Sequence, residues 1–261
     1  MDRERRSAIA PVAAVVVLGL VAAGCGGGGG GGNAAPVVNA GADLAALVGI
    51  ALNLDATATD DGSPSGTLTT TWSRVSGPGN VLFGNAAAVD TTATFDAMGV
   101  YVLRLTANDG SASSVDDVTV TVGMAIDNTD AAFSVVEGTW DLSPTTDGNG
   151  CWGADFAYAY STPPDPLARA RFTLDLATVA LYDISVYWSA AENRTAAQPI
   201  IVHDSSGTDH TYYVSLRRNG NEWFPLATLT LGPGSYIEFT TQTPSEGYCN
   251  ADAVRLMPAG A

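Results

Sequence analysis

The sequence predicts an all-β protein: two β-sandwich domains in tandem, behind a short apolar segment at the N-terminus. Three observations carry that prediction. Apolar and polar residues alternate with period two over several short runs; turn signals recur every eight to twelve residues; and no stretch beyond the N-terminal segment has helical periodicity.

The first element is a leader. Arg3, Arg5 and Arg6 precede the apolar run IAPVAAVVVLGLVAAG, which is shorter than the roughly 20 residues a spanning helix needs. A basic start, a short apolar run and small residues before a cut describe a secretory signal. Ala22, Ala23 and Gly24 directly before Cys25 resemble the lipobox of bacterial lipoproteins, with Ala22 where leucine is commonest. The resemblance implies a signal peptide over 1–24, lipidation of Cys25, and a chain held to a membrane with the rest outside the cytoplasm. The plainer alternative is a secreted protein in which Cys25 is incidental. Gly26 lacks the aspartate that marks inner-membrane retention in proteobacterial lipoproteins, which implies the outer membrane or cell surface. Gly26 to Gly32 with Asn33, Ala34 and Ala35 complete a flexible linker over 25–35, with a reach of about 15–20 Å.

The second element, 36–123, is the first sandwich. Leu47 to Leu54 leads into the turn Asp60-Asp61-Gly62-Ser63-Pro64, and TLTTTWSRV runs into Ser76-Gly77-Pro78-Gly79. In GVYVLRLTANDG, Tyr101, Leu103, Leu105 and Ala107 share one face; in DDVTVTV, so do Val118, Val120 and Val122. This ordered series, beginning with PVVNAGADLAALVGIALNLDATATDDG, resembles the PKD family of immunoglobulin-like modules. The resemblance implies a seven-stranded sandwich with Trp72 in its core, serving as a spacer or interaction module.

The third element, 125–261, is aromatic-dense, holding Trp140, Trp152, Trp188 and Trp223 of the five tryptophans. In LYDISVYWS, Tyr182, Ile184, Val186 and Trp188 alternate with Asp183, Ser185, Tyr187 and Ser189. TYYVSLRRNGNEWFPL reads as a hairpin around Asn219-Gly220, and LATLTLGPGSYIEFTT as another at Gly232-Pro233-Gly234. The ordered pieces IDNTDAAFSVVEGTW, CWGADFAYAY, YDISVYWSAAENRTAAQPIIVHDSSG, RRNGNEWFPLATLTLGPG and GYCNADAVRLMP resemble the golvesin C-terminal-like domain, also described as xanthan-lyase carbohydrate-binding-like. The resemblance implies a jelly-roll-type sandwich of the kind attached to secreted enzymes and surface proteins.

With Cys25 assigned to lipid, Cys151 and Cys249 remain, and an even pair in an oxidising compartment reads as a disulfide. Most golvesin-like members carry other residues at both positions, and their joint replacement supports the bridge. It would close a loop worth roughly 4–5 kcal/mol on the chain-entropy model. A metal site is the rival reading, though two thiolates with no nearby Cys or His make poor zinc ligation.

Charge excludes one class of partner. The chain stands at −16, and at −17 once the leader's Arg3, Arg5 and Arg6 against Asp2 and Glu4 are set aside; it has no lysine. Such a chain repels phosphate backbones, so nucleic acid is not expected.

Nothing in the residues spells a catalytic motif. There is no G-x-S-x-G, since Pro64 stands where serine is needed between Gly62 and Gly66, and no P-loop or HExxH. Neither resembled family is catalytic by itself, so a non-enzymatic protein is expected. His203 and His210, with Asp204 and Asp209, bracket a hairpin tip and read as solvated turn residues, with a metal pair as the alternative. No cofactor is called for, Ca²⁺ excepted: Asp55, Asp60, Asp61, Asp109, Asp116 and Asp117 fall near strand ends, where Asx-turns are the competing account.

Sugar binding asks for exposed aromatic faces and planar polar groups, with arginine for acidic sugars. Trp152, Tyr158 and Tyr160 lie in an irregular Gly- and Pro-rich segment, and Arg194, Arg217 and Arg218 stand out in an acidic chain. Each has a structural alternative: Arg194 paired with Asp252, the tyrosines covering the sandwich end. Trp188 and Trp223 sit on patterned strands and read as core. The expected protein is therefore a membrane-anchored surface lipoprotein whose C-terminal sandwich binds polysaccharide or cell-envelope glycan through Trp152, Tyr158, Tyr160, Arg194 and Arg217. The alternative is an adhesin or structural envelope protein that recognises another surface protein.

Overall fold

The computed structural model describes residues 32–64, 66–144, 150–161, 167–243 and 245–260; the leader and Cys25 lie outside them. The chain divides into two compact units, Met1–Val122 and Gly123–Ala261. Among the described residues every regular element is a strand.

The first unit contains β1 (Val37–Asn39), β2 (Leu44–Leu47), β3 (Leu52–Leu54), β4 (Thr57–Thr59), β5 (Thr69–Ser76), β6 (Val81–Phe83), β7 (Thr91–Phe95) and β8 (Gly99–Asn108). It also holds the start of β9 (Ser113–Asp127), which enters the second unit at Gly123. Strand β8 lies between β5 and β9, β2 joins β9, β7 lies between β3 and β6, and β1 pairs with β4. The period-two faces are the core: Tyr101, Leu103, Leu105, Val118, Val120 and Val122 are buried together with Trp72, Phe95 and Leu54. Polar atoms in that core are satisfied, Trp72 Nε1 donating to Val89 O (2.9 Å) and Tyr101 Oη to Ala97 O (2.8 Å). Gly77 (φ +141°) lets the Ser76–Gly79 turn lie against the Tyr101 ring, 2.2 Å from where a Cβ would stand.

The acidic residues of this unit serve turns and strand ends. Asp109 accepts from the Ser111 and Ala112 amides (2.7 and 2.6 Å), Asp60 from Gly62 N (2.9 Å), Asp61 from Ser63 N (2.8 Å), and Asp116 from Ala40 N (2.8 Å). Asp117 pairs bidentately with Arg104 across β8 and β9. Two residues read as linker are tied down: Asn33 Nδ2 donates to Asp109 (3.0 Å) and Ala34 N to Asp61 (3.2 Å).

The second unit comprises the end of β9 with β10 (Phe133–Glu137), β11 (Asp141–Pro144), β12 (Asp155–Ser161), β13 (Arg169–Thr173), β14 (Ala180–Tyr187), β15 (Gln198–His203), β16 (Asp209–Val214), β17 (Phe224–Leu231), β18 (Tyr236–Thr240), β19 (Gly247–Ala251) and β20 (Ala253–Pro258). One sheet runs β10-β13-β18-β15-β16; another runs β17-β14-β20-β9; a third, small sheet runs β11-β12-β19. Its core includes Phe172, Ile184, Val186, Trp188, Ile200, Val202, Ile237, Phe239, Val254 and Leu256.

Two turn readings are corrected. Neither Asn219-Gly220 nor Gly232-Pro233-Gly234 closes a hairpin, because among the described strands β17 pairs with β14 alone while β16 and β18 belong to the five-stranded sheet. The turn chemistry is as expected, with Asn219 at φ 53° and Gly234 at φ 86°, but the chain uses both turns to change sheets. Pairing partners are chosen by which faces bury together, which a turn motif does not encode.

The disulfide is also corrected: Cys151 and Cys249 are free thiols, both buried. Cys249 is paired in register with Ala159, on the side of the small sheet that also carries Ala157 and Ala251. Burial alone pushes its thiol up to about 12. Cys151 is raised to about 12 as well, by burial first and then by the charges of Asp252, Asp127 and Asp155. The two sulfurs therefore sit in different surroundings.

Candidate functional site

The small sheet builds one wall of a cleft. In β12, Phe156, Tyr158 and Tyr160 fall on one face by the two-residue period. Antiparallel pairing of Tyr160 with Tyr248 on β19 brings a further ring to that face. Tyr248 lies edge-on to Tyr160 (centroids 4.8 Å) and to Tyr158 (5.7 Å), so the three phenols form a row.

The opposite wall is the turn Ala191–Arg194, closed by Arg194 N donating to Ala191 O (3.2 Å). It is joined to β19 by a parallel bridge: Tyr248 N donates to Asn193 O (3.1 Å) and Thr195 N to Tyr248 O (3.0 Å). Hydroxyls reinforce the joint, Thr195 Oγ1 lying 2.6 Å from Ser245 Oγ and 3.1 Å from Thr243 Oγ1.

Between the walls is an open cleft of about 460 Å³, lined by Ser143, Phe156, Tyr158, Tyr248 and the turn Ala191–Arg194. Arg194 is 7 % exposed, and its guanidinium lies over the Phe156 ring (5.2 Å) and the Tyr248 ring (5.8 Å). It is held from behind: Nε donates to Ser189 O (3.4 Å) and Nη1 to Asn193 Oδ1 (3.2 Å). Ser189 O also accepts from Asn250 Nδ2 (3.2 Å), and the Asn250 backbone exchanges bonds of 2.9 and 2.8 Å with the Gln198 side chain. The cleft thus offers ring faces, a planar cation, an amide and the Glu192 carboxylate: the groups that stack on sugar C–H faces and bond their hydroxyls.

The five residues singled out from sequence divide into two places. Tyr158 and Arg194 line the cleft, Tyr160 stands one ring further along, and Arg217 Nε donates to Arg194 O (2.8 Å). Trp152 is elsewhere, packed on Trp223 (4.8 Å) and Tyr187 (6.0 Å). Trp188 is core, but Trp223, read as core, is half-buried. Sequence reasoning missed Tyr248. The signal available was its place in GYCNADAVR, among pieces already matched to the family, but no spacing linked it to Arg194.

Arg194 does not pair with Asp252. That carboxylate is wholly buried and accepts from Trp152 N (3.2 and 3.3 Å). Burial, with the charges of Asp127 and Asp155 added, pushes Asp252 up to about 9. Asp127 is raised chiefly by burial, while Asp155 accepts from Asn128 Nδ2 (2.6 Å).

The two histidines form separate pairs, His203 Nδ1 with Asp209 Oδ1 and His210 Nε2 with Asp204 Oδ2, each 2.7 Å apart. Hydrogen bonds from Ser206 and His210 hold Asp204 well below the usual carboxylate range. Among the described residues no group of three or more His, Cys, Asp or Glu side chains is placed to hold a metal ion.

Comparison with known proteins places both units. The model of the golvesin C-terminal domain matches residues 124–258, and that of the K319L-like PKD domain matches residues 40–122. Among solved structures, the xanthan lyase of Paenibacillus is similar at 25 % identity and a TM-score of 0.50, over 73 % of this chain and 20 % of that one. The chain thus spans about a fifth of that enzyme's length. The PKD domain of the KIAA 1837 protein matches at 27 % identity over 37 % of this chain and 91 % of that one (TM-score 0.27). A CBM35 module from Cellvibrio japonicus matches at 15 % identity over 51 % and 91 % (TM-score 0.37).

Proposed function

This chain belongs to the golvesin C-terminal domain family, and from that premise we propose that it is a non-enzymatic surface protein whose second unit binds polysaccharide. The ligand is a polysaccharide of the cell envelope or surrounding matrix, held in the cleft between Tyr248 and Arg194. Lipid on Cys25 anchors the chain to the outer membrane or cell surface, and the PKD unit spaces the binding unit from that anchor.

The observation that carries the reading is the cleft itself. An open hollow is walled by tyrosine faces, and at its back a buried guanidinium is fixed in orientation by the Ser189 carbonyl and by ring contacts. Preorganised aromatic and planar polar groups bind sugar rings with little ordering cost. The similar xanthan lyase is itself an enzyme of a polysaccharide, which supports the same ligand class.

Calorimetric titration of the chain from Asn33 onward against neutral and acidic bacterial polysaccharides tests it. Saturable heat that Tyr248→Ala weakens by about tenfold or more is the expected result; flat titrations across the panel, or binding untouched by that change, would sink it.

A further inference from the structure

The outer face of the β14–β20 sheet carries a second constellation. Arg255 on β20 lies opposite Ser185 on β14, and its Nη2 donates to Ser185 Oγ at 3.3 Å. Two residues on, Tyr187 shares that face, and its ring meets Trp223 at 5.5 Å. Trp152 completes a compact aromatic trio, and the Trp223 ring lies 4.8 Å from the Arg255 guanidinium.

The arginine is oddly provided for. Its Nε is buried and has no acceptor among the described residues. Among the described residues no carboxylate stands within ion-pair distance of it, whereas Arg169 and Arg171 both sit on Glu238. Burial alone holds its guanidinium below the usual arginine value. A buried N–H with no acceptor is costly, and a carboxylate oxygen would supply one. Nε and Nη2 form one edge of the fork that grips a carboxylate bidentately. Ser185, the acceptor of that Nη2, also helps with Pro225 to line a hollow of about 340 Å³ along β14 and β17. The one carboxylate lining it, Asp183, accepts from Thr228 Oγ1 (2.6 Å).

We propose that Arg255, with the Trp223–Trp152–Tyr187 trio, is a second binding site, separate from the cleft, for a sugar unit that bears a carboxylate. The fork takes the carboxylate and the trio takes the apolar face of the ring. Arg255 and Ser185 confer the selection for charge; the aromatics supply contact that a neutral sugar shares.

Sodium glucuronate, titrated into the chain from Asn33 onward with tryptophan fluorescence as readout, tests the site. A saturable change is expected, with none for glucose at equal concentration. Arg255→Gln should weaken it about tenfold or more, the worth of a charge-assisted bond. Arg255→Lys, which keeps the charge and loses the fork, should weaken it similarly and serves if the glutamine variant fails to fold. The response persists when the cleft is disabled by Tyr248→Ala. No saturable response, or one as strong in Arg255→Gln and Arg255→Lys as in the parent, overturns the proposal. A response lost with Tyr248→Ala alone would move glucuronate to the cleft and overturn it too, leaving the polysaccharide reading intact.

Discussion

Arg194 and Tyr248 stand side by side because their backbones are bridged in parallel, through Tyr248 N to Asn193 O (3.1 Å) and Thr195 N to Tyr248 O (3.0 Å). They are 54 positions apart in the chain, so nothing local joins them. The bridge sets the distance between guanidinium and ring before any ligand arrives, which makes the cleft a property of the folded unit.

That closeness depends on Gly247. At φ +139°, its added Cβ would lie 2.7 Å from both Arg194 C and Thr195 N, which are backbone atoms with little room to yield. Gly247→Ala should open the bridge, cost about 1–3 kcal/mol of stability in this unit, and weaken polysaccharide binding. Thermal unfolding and calorimetry on the same sample check both effects.

The phenol row is expected to divide in energy. Tyr248 touches both other tyrosines and the Arg194 cation, so Tyr248→Ala should weaken binding by about tenfold or more. Tyr160→Ala, at the exposed end, should cost less. Trp152→Ala should leave cleft affinity unchanged, as titration of the three variants with one bound polysaccharide would show.

Asp252 makes stability depend on pH. Its folded-state value, raised to about 9, lies far above that of an unfolded aspartate near 4, so the folded unit holds the proton more tightly. The stability this contributes is fully present below about pH 4 and is lost progressively as pH rises toward 9. Asp252→Asn should therefore raise the melting temperature at pH 8 relative to the parent and flatten the decline between pH 5 and 8. A decline of unchanged slope would refute the assignment.

The thiols give a direct test of the missing bridge. Cys151 and Cys249 are buried, with thiols pushed up to about 12, so neither should react with a thiol reagent at pH 8 until the unit unfolds. In the chain from Asn33 onward, which excludes Cys25, two thiols should titrate in denaturant, and reductant should leave the melting temperature unmoved.

Much of this was legible in the residues. Period-two runs such as Tyr101–Leu105 and Tyr182–Trp188 name their own buried faces, since alternate side chains of a strand must leave on opposite sides. The ordered motifs named both families, and the search for ring faces and guanidinium reached Tyr158 and Arg194. Ser185 shows where alternation stops informing: a serine on the polar register is buried at 6 % exposure because Arg255 lies over it, a cross-strand fact.

By itself, then, the sequence determined the all-β class, the two families and the residue types a sugar site needs, because these rest on periodicity and short ordered segments. Only the tertiary structure decided which strands pair across β17, that Cys151 and Cys249 are free thiols, that Tyr248 completes the cleft and that Trp152 packs on Trp223 and Tyr187 instead. Those outcomes depend on contacts between residues tens of positions apart, chosen by how whole faces bury together, and no local pattern carries that information.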